Sequence, residues 1–363
     1  MKNKMKKTIL FMAMAAGLCV AGIDGFAKKS RVNNKSSDPV VFKSLIEFFT
    51  NTSPATDGCD TIYLEGSIDS YTGPGINRKV CIIGPGFNLM QNPITAINFL
   101  EATISSSDLS FSTGSAGSEL IGVNMGTRAV RIGANSVTVR NCIFGNGGFI
   151  GLNEVMNATI IQNYFTNTSS NSALFKQGFS SSGIIFNNNI VVGGKMIIDQ
   201  STEFLECNNN VFVFPSNGIN PALSLSAVSF KNNIIKPALA TSIPAILINN
   251  GVADVNRVSH NIFPNGGSLS TTHNNIPLTF AQQNSEVFAT ANPTMDNQFN
   301  LKTGYANGNF GSNDTQRGIF GGPHPYVLSG VAVIPNIFGV LTNGEVSNQS
   351  VLQIKINTKV NPS

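Results

Sequence analysis

Catalysis at neutral pH needs clustered ionisable or nucleophilic side chains, and this chain has few. Charged residues make up 12% of it, about half the ~25% usual for soluble domains. Asp199, Glu203 and Glu206 form the densest acidic group in the middle of the chain, and Arg128, Arg131 and Arg140 the densest basic group. Glycosidic hydrolysis normally uses two carboxylates about 5–10 Å apart. A calcium site draws on about 6–8 oxygen ligands, several of them carboxylates. The three acids would cluster on a helix, but here they straddle a turn and a strand, so solvated surface charge is the plainer reading. His260, His273 and His324 are scattered, and no Cys/His spacing fits a zinc site. Neither a metal nor another cofactor is expected. Sugar grooves often stack rings on Trp and Tyr faces, yet the chain has no Trp and five Tyr.

The elements that position these residues are repetitive. A phrase of one or two polar residues, usually Asn, followed by an apolar pair recurs as Asn141-Cys142-Ile143-Phe144, Gln162-Asn163-Tyr164-Phe165, Asn188-Asn189-Ile190-Val191, Asn209-Asn210-Val211-Phe212, Asn232-Asn233-Ile234-Ile235 and His260-Asn261-Ile262-Phe263. The second residues lie 21, 26, 21, 23 and 28 apart, and a fainter copy, Val123-Asn124-Met125, comes 18 before Cys142. Such spacing means one supersecondary unit stacked many times. Each phrase follows a short alternating strand, whose inward pairs are read as Val137/Val139, Ala158/Ile160, Ile184/Phe186, Leu205/Cys207, Val228/Phe230 and Asn256/Val258. Helices of ten or more residues do not fit in each unit, and the Asn, Gly and β-branched content opposes them. A coil of parallel strands remains, each level about 4.8 Å above the last. Stacked Asn side chains can hydrogen-bond along the axis, and Asn tolerates the left-handed backbone of a sharp turn.

Over roughly residues 40–325 the chain resembles the right-handed parallel β-helix family, the pectate-lyase-like superfamily. The segments Asp60–Gly66, Ile82–Gly86 and Gly318–Tyr326 resemble exported β-helix proteins of Bacteroidota-type bacteria. The resemblance implies an all-β, single-stranded right-handed solenoid. In enzymes of this superfamily, substrate lies along the outer face of one sheet, and clustered Asp or Glu act there with or without calcium. The outward residues on the repeat strand are Thr138/Arg140, Thr159/Ile161, Ile185/Asn187, Glu206/Asn208, Ser229/Lys231 and Arg257/Ser259, with Glu206 the one carboxylate among them. The expected role is therefore non-catalytic: structural, adhesive or surface-interacting. The competing class is a polysaccharide lyase or glycoside hydrolase, and a glycan-binding module is the third reading. A polysaccharide or cell-surface glycan, if bound, would lie along Arg140, Asn187, Glu206, Asn208, Lys231 and Arg257.

Residues 1–27 read as a secretory signal: basic Lys2, Lys4, Lys6 and Lys7, an apolar run from Thr8 to Ile23, and small residues around Gly25-Phe26-Ala27. Sixteen apolar residues fall short of the ~20 that span a bilayer, so no integral membrane segment is expected once the signal is removed. The location is then periplasmic, cell-surface or secreted. Without this segment 19 basic and 18 acidic residues remain, which leaves no electrostatic case for nucleic acid. Residues 28–37 read as a polar linker. Residues 38–330 follow as the parallel β-helix, opened by a capping helix over 38–50 with Asp38 as N-cap and Pro39 in its first turn. Val41, Phe42, Leu45, Ile46 and Phe49 would form its apolar face, covering an end that is otherwise a template for edge pairing. Residues 331–363 read as a C-terminal β extension with strand-like runs Asn336–Leu341 and Val351–Ile356, too short to fold alone and expected to dock on the solenoid. Cys142 and Cys207, three levels and about 14 Å apart, should be free thiols, because a disulfide tolerates about 7 Å between Cα atoms. Cys59 and Cys81 lie 22 apart, about one level, and can reach each other.

Overall fold

The computed structural model describes residues 29–54, 58–91, 100–166, 174–176, 180–193, 196–197, 202–214, 223–237, 246–248, 257–267, 269, 271–290, 293–308, 311–331, 336–342 and 354–359. The expected signal segment lies outside them. The described chain is mostly short parallel strands in long stacked sheets. The first sheet runs through Lys29–Val32, Asp60–Leu64, Val80–Ile83, Glu119–Ile121, Thr138–Arg140, Thr159–Ile161, Ile184–Asn187, Glu203–Glu206 and Leu223–Ala227. The second contains Gly75–Ile76, Leu109–Phe111, Val130–Ile132, Ile150–Leu152 and Leu174–Lys176. The third runs from Ile143–Phe144 through Tyr164–Thr166, Ile190–Val192, Val211–Phe214, Ile234–Pro237 and Ile262–Pro264 to Ile276–Leu278. From Thr138 to Ile184 the chain visits the first, third and second sheets in rotation, so the phrases there join the first sheet to the third; those at Asn232 and His260 follow Phe230–Lys231 and Val258–Ser259, which pair in a two-stranded sheet of their own.

The two polar residues of the phrase divide the work. The first takes the left-handed conformation: Asn141, Gln162, Asn188, Asn209, Asn232, His260 and Asn274 all have φ between 56° and 60°. That kink breaks the sheet ladder and would orphan backbone groups on both sides of it. The second residue, one level on, mends the break. Asn163 Oδ1 accepts from Cys142 N at 3.0 Å, while its Nδ2 donates to Val139 O at 2.9 Å. Asn189, Asn210, Asn233, Asn261 and Asn275 repeat this on the levels before them. Their amides also link to one another, at 3.0–3.2 Å. The last rung, Asn274-Asn275-Ile276, comes only 14 residues after Asn261, a spacing outside the 21–28 range of the repeat.

The inward register agrees with the sequence reading along most of its length. Val139, Ile160 and Phe186 are ladder partners, and Phe230 pairs with Val258. Cys207 N donates to Ser229 O, which brings Cys207 level with Phe230. All are fully buried except Val258, which is partly buried. Leu205 departs from the reading. Ile184 pairs with Phe204 and Ile185 with Glu206, so a bulge turns Leu205 outward, 47% exposed, and puts Phe204 in the core. At the next level Ala227 pairs with Phe204, taking the inward place expected of Val228. The phenyl rings of Phe144, Phe165, Phe186 and Phe212 stack with centroids 4.7–6.4 Å apart. Cys142 and Cys207 are buried free thiols, as expected, and Cys59 and Cys81 are also free.

The apolar pair of each phrase serves two cores. Phe144, Phe165, Val191, Phe212, Ile235 and Phe263 join the cluster between the sheets. Their predecessors Tyr164, Ile190, Val211, Ile234 and Ile262 form a second cluster on the far side of the third sheet, with Val287, Phe288, Phe299, Ile319 and Tyr326 packed over them. A sheet buried on both faces needs apolar residues at consecutive positions, not alternating ones.

The ends differ from expectation. Residues 29–32, within the expected linker, form a strand paired with Asp60–Leu64. The helix is Leu45–Asn51, and its N-cap is Ser44, whose side chain accepts from Glu47 N; Asp38 is not the cap. The chain before it is held extended, because Phe42 bridges to Val32 in the parallel sense and exchanges backbone hydrogen bonds with Arg31 and Asn33. Leu45 and Phe48 face the core, while Ile46 is 49% exposed. Arg78 locks the helix in place: it donates to Thr52, lies 5.0 Å from the Phe48 and Phe49 ring centroids, and sits 3.7 Å from buried Asp60. At the other terminus Asn336–Thr342 and Ile354–Lys359 pair antiparallel in a sheet of their own. The second strand starts later than the expected run, whose residues 351–353 lie outside the described chain.

Candidate functional site

The outer face of the first sheet presents two columns of side chains. One runs Thr61, Cys81, Glu119, Thr138, Thr159, Ile185 and Glu206. The other runs Tyr63, Ile83, Ile121, Arg140, Ile161 and Asn187. Glu119 is a second carboxylate on this face, beyond the one anticipated, and exposed Glu203, at the start of the strand that ends in Glu206, is a third. Its strand lies in the faint first copy of the phrase, where Gly122 and Val123 replace the polar pair. Four ladder steps separate Glu119 from Glu206, about 19 Å at ~4.8 Å per step.

The six anticipated residues separate into two groups. Asn187 is buried; its Nδ2 donates to Glu206 Oε2 at 2.6 Å and its Oδ1 accepts from Asn208 N at 2.8 Å. Asn208 Oδ1 in turn accepts from Ser229 Oγ at 3.0 Å and Lys231 N at 2.8 Å. Arg257 lies one level further on, next to Val258, which pairs with Phe230. Among the described residues no ion pair joins Lys231 to Glu206. Arg140 stands apart, beyond Ile161, with its Nη2 3.5 Å from Glu119 Oε2. The basic triplet is divided as well: Arg131 is on the second sheet, 2.9 Å from Asp108 and over the Phe149 ring, and Arg128 donates to Ser105 O. Asp199 lies outside the described residues, and Glu203 is exposed. His260 accepts from Asn274 at 2.9 Å, and burial, with Arg317 and Lys231 nearby, lowers its pKa. Burial raises the Cys81 thiol to about 12 and also raises Cys59. Among the described residues no three His, Cys, Asp or Glu gather as a metal site would require.

A strap, residues 311–331, runs along the row of left-handed turns. Asn232 exchanges two hydrogen bonds of 2.8 Å with Ser312. Asn209 Nδ2 donates to Gln316 O and Gly318 O, Asn188 Nδ2 to Ile319 O and Gly321 O, and Gln162 Nε2 to Pro325 O. Gly322 has φ 74°, and a Cβ there would meet Asn209 Oδ1 at 2.7 Å, so the strap can lie this close only without a side chain. The left-handed turn at the first polar residue agrees with the sequence reading; its hold on the strap was not anticipated, and the glycine density of Gly318–Gly322 was the available signal. Where the strap passes the first sheet it encloses a groove of about 500 Å³. Thr138, Arg140, Ile161 and Ile185 form its floor, and Pro323–Pro325 with Val327 form its far wall.

Among the described residues no helix is long and apolar enough to cross a membrane. No family model matches the chain, and neither a curated protein nor a solved structure matches it.

Proposed function

We propose that the three sheets are the walls of one right-handed parallel β-helix of the pectate-lyase-like kind. In this reading the protein is exported behind its first 27 residues and works as a non-catalytic scaffold with a structural or adhesive role. The repeated phrase, the parallel pairing and the rotation of the chain among the sheets support the coil. The observation that carries the functional reading is the state of Glu119 and Glu206, the two carboxylates that share a column of the outer face. Glu119 and Glu206 are about 19 Å apart by ladder count, beyond the about 5–10 Å that glycosidic hydrolysis uses. Each already has a partner, Arg140 and Asn187.

The test is incubation of purified protein with pectate, polygalacturonate and neutral polysaccharides, with and without calcium. The expected outcome is no new reducing ends and no unsaturated product. Product release lost in Glu206→Gln would overturn the reading and make Glu206 catalytic. A glycan-binding role is the second reading, supported by the mixed donors and acceptors of Arg140, Asn187, Glu206, Asn208, Lys231 and Arg257 on a rigid face. A glycan array tests it. Binding that survives combined alanine replacement of Arg140, Glu206, Lys231 and Arg257 would place the site elsewhere.

A further inference from the structure

We propose that the groove beneath the strap is a binding site for a small dipolar ligand: an α-amino acid, free or within a short peptide, with a branched aliphatic side chain. Three independent features of the groove converge on this. Its volume, about 500 Å³, lies within the ~300–1,000 Å³ of small-molecule sites. Beside it lies Asn141, fully buried, with neither Nδ2 nor Oδ1 hydrogen-bonded. The next four asparagine and glutamine residues of the turn row all donate to the strap, so Asn141 breaks the pattern where the groove opens. A buried carboxamide without partners is costly, and a ligand that offers an acceptor and a donor side by side would satisfy it once the side chain turns into the groove.

The third feature is the chemistry of the walls. Glu119 and Arg140 lie together at the groove, partly exposed and loosely paired at 3.5 Å. Adjacent unlike charges match an ammonium and a carboxylate on one ligand. The apolar part of the remaining surface is Ile161, Ile185, Pro323, Pro325 and Val327, beside Thr138, Thr159, Gln162 and His324, and no Phe, Tyr or Trp lines it. A pyranose would find no Phe, Tyr or Trp face to stack on, whereas a branched aliphatic side chain packs against the isoleucine and proline walls. The ligand ammonium is therefore assigned to Glu119, its carboxylate to Arg140, its polar backbone to Asn141, and its side chain to the isoleucines and prolines. This inference is independent of the scaffold reading, which concerns the outer face as a whole.

Calorimetric titration of the full chain with L-leucine and with L-leucyl-L-leucine tests it, with N-acetyl-leucine amide and glucose oligomers as comparators. Binding of at least one leucine ligand with Kd of ~1 mM or tighter is expected, weakened ~10-fold or more in Glu119→Gln and Arg140→Gln. Asn141→Gly removes the carboxamide and keeps the left-handed backbone accessible; it should weaken binding without lowering the melting temperature. Binding of dileucine alone identifies a peptide as the source, and binding of both identifies the free amino acid. Failure of both to bind, equal binding of the uncharged derivative, preference for glucose oligomers, or affinity unchanged in Glu119→Gln and Arg140→Gln would each overturn the proposal.

Discussion

Asn210 makes the contacts typical of a ladder residue. It accepts from Asn189 N and Nδ2 and donates to Phe186 O and Asn233 Oδ1, all without access to water. Asn210→Ala leaves Asn189 N and one of its two Nδ2 hydrogens without an acceptor, while Nδ2 keeps its bond to Ile160 O; at about 1–3 kcal/mol for each lost partner, a denaturant melt should show a loss of about 2–6 kcal/mol. Phe186, stacked on Phe165 and Phe212, should cost about 3–5 kcal/mol on replacement by Ala; a loss under about 1 kcal/mol would show that its site is not a packed core. Lys236 behaves differently. It is 2% exposed, its Nζ lies 4.9 Å from the Phe280 ring centroid, and burial lowers its pKa from 10.5 to about 8. The unfolded chain therefore binds this proton more tightly than the native one, and stability from this residue rises as pH goes from about 8 to 10.5. Lys236→Met should stabilise the protein at pH 7, and melts across that range should show the advantage shrinking toward pH 10.5.

The strap is tied down by side chains of the turns it crosses, and its tethers can be removed without disturbing the ladder. Asn188→Gly with Asn209→Gly deletes four donations to strap carbonyls and retains the left-handed turns, since glycine adopts that backbone freely. Backbone amides of residues 316–326 should then exchange faster by hydrogen-exchange mass spectrometry, while those of Thr159–Ile161 and Ile184–Asn187 stay protected. Equal protection in the double variant would show that the apolar contacts of Ile319 and Tyr326 hold the strap by themselves. This element also marks the limit of what the sequence disclosed. The parallel strands, the inward ladder and the Asn stack were legible, because each follows from a period that every level repeats. Leu205 was misplaced because a bulge adds a single residue without changing composition. The helix start was misplaced because Asp38-Pro39 is a good local cap, overridden by Phe42 pairing with Val32. The groove could not be read, because one wall belongs to residues about 160 positions from the other, at Gln162 and Pro325, and no periodicity links the two.

At the scale of the whole molecule, stacked levels touch mainly their neighbours, so their stability approximates a sum of nearest-neighbour terms. Two features work against that independence. The amide ladder couples successive levels from Cys142 to Asn275. The strap reaches further, since one segment of chain contacts the turns at Asn232, Asn209, Asn188 and Gln162 and then meets Phe87 through Ser329 O at 2.7 Å. It thereby joins the start of the described sheets to their later levels, and Asp296 pins its far end by accepting from Ser329 N at 2.6 Å. Unfolding any one of these levels must therefore release a segment that four turns share. The intact protein should unfold in urea as a single transition. A specific protease site inserted at exposed Pro323-His324 tests this coupling. After cleavage the strap halves act separately, and the transition should broaden with a lower m-value, the mark of lost cooperativity. An unchanged m-value in the cleaved protein would mean that the ladder alone makes the stack fold as one unit.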